Sequence, residues 1–129
     1  MALSAAVLAL GGLMHARAFD RTVSAVTTSN LPAFYAGSLE ALWLIDSATL
    51  LTLAIVLGLI AVRSELAKGP VIILLALIPA ATAFFLYHFI GNFLPAHMLS
   101  ASAAATALGG WGLRSASREP GAERDTTPT

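Results

Sequence analysis

The sequence predicts an all-α integral membrane protein, a four-helix bundle with both termini on the cytoplasmic side. Three observations carry this. Of 129 residues, 57% are hydrophobic and 11% are charged, against roughly 25% charged in a soluble domain. A small water-soluble chain has too much surface for its volume to cover so much apolar side chain with so few charges. Second, no charged residue occurs between Lys68 and Arg114, a run of 45 positions. One crossing needs about 20 apolar residues, so this run holds two. Third, Gly and Pro punctuate the apolar stretches at intervals that fit membrane helices.

The first helix is predicted over residues 2–19. Met1 to Ala16 is uncharged and short for a span, so Arg17 must extend its stem toward the head groups. Ala16-Arg17-Ala18 also resembles the small-x-small site of a secretory signal peptide, but no Lys or Arg precedes the apolar stretch, as the n-region of such a peptide requires. A retained helix is therefore expected. The Ser- and Thr-rich segment from Asp20 to Asn30 has Phe19, Val23 and Val26 at helical spacing, and is expected to lie along the interface.

Asn30 and Pro32 then stop that piece and start a second membrane helix, over residues 32–63. Its apolar part, Glu40 to Val62, is interrupted only by Asp46 and hydroxyl residues, and Arg63, Glu65 and Lys68 follow in a polar loop. The third helix is predicted over 70–90 and the fourth over 95–113. Gly91, Asn92 and Pro95 supply a stop, a turn residue and a first-turn proline. Together these make a transmembrane domain over residues 1–113. From Arg114 to Thr129 the composition shifts to Ser, Arg, Glu, Pro, Gly and Thr, which predicts a disordered polar tail.

Orientation follows from the loops. One side carries Arg63, Lys68, Arg114, Arg118 and Arg124 and the other only Arg17 and Arg21. Positive residues near membrane ends favour the cytoplasm, so the termini are expected inside, in a plasma (inner) membrane. Small residues suggest how the helices touch, because membrane helices associate through close backbone approach. Ala101, Ala105 and Gly109 form one stripe, with Ser102, Thr106 and Gly110 beside it. The first and fourth helices are expected to pack closely there, or against another copy or a larger membrane complex.

The polar residues that hydrocarbon should exclude fall mainly at the outer end. His15 ends the first helix, Glu40, Trp43 and Asp46 lie in the outer half of the second, Tyr87 and His88 end the third, and Asn92 and His97 lie at or after the turn into the fourth. We expect a polar pocket there. Asp46 is the most informative member: an ionised carboxylate at membrane depth costs at least several kcal/mol, so it faces an interior, takes a partner or stays protonated. His15, His88, His97 and Glu40 suit a divalent metal, and two imidazoles at matching depth would suit a haem.

Other chemistry is excluded or unsupported. There is no cysteine, so disulfides, thiolate metal sites and thiol catalysis are ruled out. No basic stripe points to nucleic acid, and neither HExxH, a phosphate-binding loop nor a nucleophile elbow is present. Three functional expectations follow. The first is a non-enzymatic accessory subunit or binder of a lipid-like ligand, with membrane lipid as a partner. The second is a metal- or haem-dependent membrane enzyme using the outer His/Glu/Asp cluster. The third is a proton- or cation-coupled transporter centred on Asp46.

Overall fold

A computed structural model describes residues 1–116, and all its long elements are helices: α1 (Ala2–Arg17), α2 (Phe19–Thr27), α3 (Ala33–Val62), α4 (Gly69–Phe89) and α5 (Leu94–Ala116). No strand occurs among the described residues. A 3-10 turn at Ser64–Leu66 links α3 to α4. Of the predicted disordered tail, Arg114 to Ala116 continue α5, and the remainder lies outside the described residues.

The breaks follow local chemistry. Ala18 sits between α1 and α2 in helical conformation, and its carbonyl accepts from the N–H of Arg21 and Thr22. The chain therefore runs on with little interruption, and Ala2–Thr27 forms one 26-residue helical stretch. Pro32 precedes α3, where a missing N–H costs nothing. Pro70 fills the same role in α4. Gly91, at φ 96°, takes the left-handed conformation that turns α4 into α5, which a side chain would oppose. Pro79 lies inside α4, on its buried face, without ending the helix.

Among the described residues three stretches are long and apolar enough to cross a membrane: Ala2–Thr27, α3 with 30 residues and α4 with 21. The sequence predicts four. α5 has the length, 23 residues, but Ser100, Ser102, Thr106, Gly109, Gly110 and Gly112 dilute its apolarity. The surface is that of a protein in lipid. Leu44, Ile45, Ile55 and Leu59 on α3 and Leu74, Leu77, Phe84 and Phe85 on α4 are exposed, and a helix apolar on all faces is read as a membrane span.

The core is narrow and lies where α1 meets its neighbours. Leu8 and Leu57, each 1% exposed, join Leu50, Leu53, Ala54, Ala83 and Leu99 in one cluster. Helix α1 packs on α3 and on α5, and α5 packs on α4, while α2 lies against α3. α3 and α4 share no comparable seam. Contacts fix the directions. His15 reaches Ser47 while a Cβ at Gly58 would meet Ala5, so α1 and α3 are antiparallel. Likewise Tyr87 meets His97 while Gly110 lies against Gly69 and Ile72.

Small residues make the seams. α1 buries Ser4, Leu8 and Gly12, a spacing of four that keeps one helical face. A Cβ at Gly12 would sit 3.0 Å from Leu51 and 3.2 Å from Leu50. On α5, Ser102, Thr106 and Gly110 are buried, whereas Ala101 is exposed and Ala105 and Gly109 are half-buried. The Ser4 hydroxyl donates to the Ser102 carbonyl at 3.4 Å, and the Thr106 hydroxyl donates to the same carbonyl at 2.8 Å. The hydroxyl of Ser102 is itself buried without a partner.

Candidate functional site

The polar residues expected to converge resolve into separate groups. The largest joins the last turn of α1 to α3. The ring of His15 stacks on Trp43 with centroids 4.0 Å apart and planes 12° from parallel. Its Nδ1 lies 2.9 Å from Ser47 Oγ, and Nε2 lies 3.6 Å from Asp46 Oδ2. The Trp43 indole N–H donates in return to the His15 carbonyl at 2.8 Å. Three side chains of one helix thus hold the end of another, because Trp43, Asp46 and Ser47 sit within a turn of one another on α3.

The protons can be partly assigned. Ser47 Oγ lies 3.0 Å from the Trp43 carbonyl one turn back, and a hydroxyl has one proton to give. With that proton on the carbonyl, His15 Nδ1–H donates to Ser47 and Nε2 turns toward Asp46. At 3.6 Å the latter contact is too long for a hydrogen bond but close enough for an ion pair when the ring is protonated. The side chains are 27% and 37% exposed, so the pair lies at a lateral surface of the α1–α3 seam.

The second group joins α4 to α5. Tyr87 Oη and His97 Nδ1 are 2.6 Å apart, with the rings edge to face at 5.5 Å. His88 belongs to neither group. It lies exposed in an aromatic row, stacked on Phe84 at 6.2 Å and edge-on to Phe89 at 4.7 Å. Asn92 is exposed in the turn, and Glu40 is half-buried on α3.

The expected metal set is therefore not assembled. Among the described residues no three His, Asp or Glu side chains are placed to hold a metal ion. His15 is engaged by α3, His97 by Tyr87, and His88 by Phe84 and Phe89, so the combination of His15, His88, His97 and Glu40 is corrected to three separate imidazole environments. The physical reason is that sequence position sets height along a helix, whereas facing depends on rotation about its axis. Ser47, which completes the first group, is not among the residues to which the sequence points, although it lies one helical turn after Trp43.

Two open concavities complete the picture. One, about 460 Å³, lies between α1 and α3 and is lined by Ala5, Ala6, Ala9, Leu51, Ala54 and Ile55. The other, about 560 Å³, lies between α2 and the start of α3, with Arg21, Val26, Leu31, Leu39 and Trp43 among its walls. Compared with family models, curated proteins and solved structures, the chain matches none.

Proposed function

We propose that this is a non-enzymatic integral membrane protein, an accessory subunit or a binder of a lipid-like, apolar ligand, with four crossings as a bundle and both termini in the cytoplasm. One observation carries the reading. The polar side chains of the outer half are used pairwise to latch helices together, His15 to α3 and Tyr87 to His97, while the open concavities are walled mainly by apolar groups. Such an arrangement suits the binding of apolar surface.

Length supports the placement. At 1.5 Å per residue, α3 is about 45 Å long, against about 30 Å of hydrocarbon. Setting the inner boundary at Val62 puts the outer one near Leu42, with Asp46 about 6 Å inside it. α1 is retained in this reading because Leu8 stands at the centre of the core. The membrane is a plasma membrane, with the Arg63 to Lys68 loop inside by its positive charge.

The test is purification in mild detergent followed by native mass spectrometry and lipid extraction. Bound lipid, a second copy or a partner subunit supports the reading. A bare monomer carrying none of these refutes it. Because the chain has no cysteine, sidedness is read from Ser29→Cys and Lys68→Cys in intact cells. An impermeant maleimide labels the first and not the second if the orientation holds.

A second reading has one observation in its favour, the carboxylate of Asp46 within 3.6 Å of His15 Nε2 at membrane depth, where such residues mark proton and ion paths. It makes the protein a proton- or cation-coupled transporter. Unchanged flux in Asp46→Asn proteoliposomes ends that reading.

A further inference from the structure

We draw no further inference here: the strongest candidate, the open apolar concavity of about 460 Å³ between α1 and α3 walled by Ala5, Ala9, Leu51 and Ile55, carries none because nothing in the structure shows what covers it.

Discussion

Removing the His15 side chain tests the latch between α1 and α3 directly. In His15→Ala the protein loses the ring stack on Trp43 at 4.0 Å, worth about 1 kcal/mol. It also loses the 2.9 Å hydrogen bond to Ser47, worth about 0.6 kcal/mol within a membrane. The Asp46 contact adds little, because its 3.6 Å separation is too long for a hydrogen bond. The expected cost is about 1.5–2 kcal/mol.

Two companions bracket it. Trp43→Phe keeps an aromatic face for the imidazole and deletes the indole N–H bond at 2.8 Å. The His15 carbonyl it releases still accepts from the Ala18 N–H at 3.1 Å, so the cost is about 0.6 kcal/mol. Asp46→Asn is expected to cost less than His15→Ala, because the 3.6 Å contact that it alters is not a hydrogen bond. The measurement is reversible unfolding in mixed micelles by titration with a denaturing detergent. A double-mutant cycle between His15→Ala and Trp43→Ala isolates the pairwise energy, expected near 1 kcal/mol. A His15→Ala protein within about 0.3 kcal/mol of wild type, or an Asp46→Asn protein less stable than His15→Ala, refutes the latch.

Other outcomes follow from the seams. Gly110→Ala places a Cβ 3.0 Å from Ile72 and 3.2 Å from the backbone carbonyl of Gly69, so it should destabilise the α4–α5 pair by about 1–3 kcal/mol in the same titration, whereas Gly112→Ala meets nothing within 4 Å and should be neutral or slightly stabilising. Ser102→Ala deletes a buried hydroxyl without a partner and is expected to leave stability unchanged or raise it. Tyr87→Phe removes the 2.6 Å bond to His97 and should cost about 0.6–1.7 kcal/mol, read as a lower unfolding midpoint.

Much of this architecture is written in the chain as periodicity and punctuation. Pro32, Pro70 and Gly91 stand where α3 begins, α4 begins and the α4–α5 turn lies, because each acts through its own backbone and needs no tertiary context. The helical continuation through Ala18 was less legible. Asp20, Arg21 and Thr22 look like a polar edge, yet their backbone goes on hydrogen-bonding and Val26 is buried. Site geometry was legible only in part. His15, Glu40, Asp46, His88 and His97 could each be assigned a height by counting residues, but not a facing direction. Whether His88 looks at His97 or at Phe84 depends on how α4 is rotated against α5, and that is decided by packing at Ile72, Ala76 and Ala83, residues with no chemistry to announce them.

The seam between α1 and α5 also dictates an order of assembly. Ser4 and the Ser102 carbonyl that it reaches are 98 positions apart, so one flank of the first helix stays uncovered while nearly the whole domain is being synthesised. The helix that eventually closes it is the least oily of the long ones and has little incentive to leave water alone. A short turn tethers it to α4, and it packs back antiparallel along that helix. A truncated product ending before that arm would leave the Ser4 hydroxyl without the carbonyl it reaches on α5.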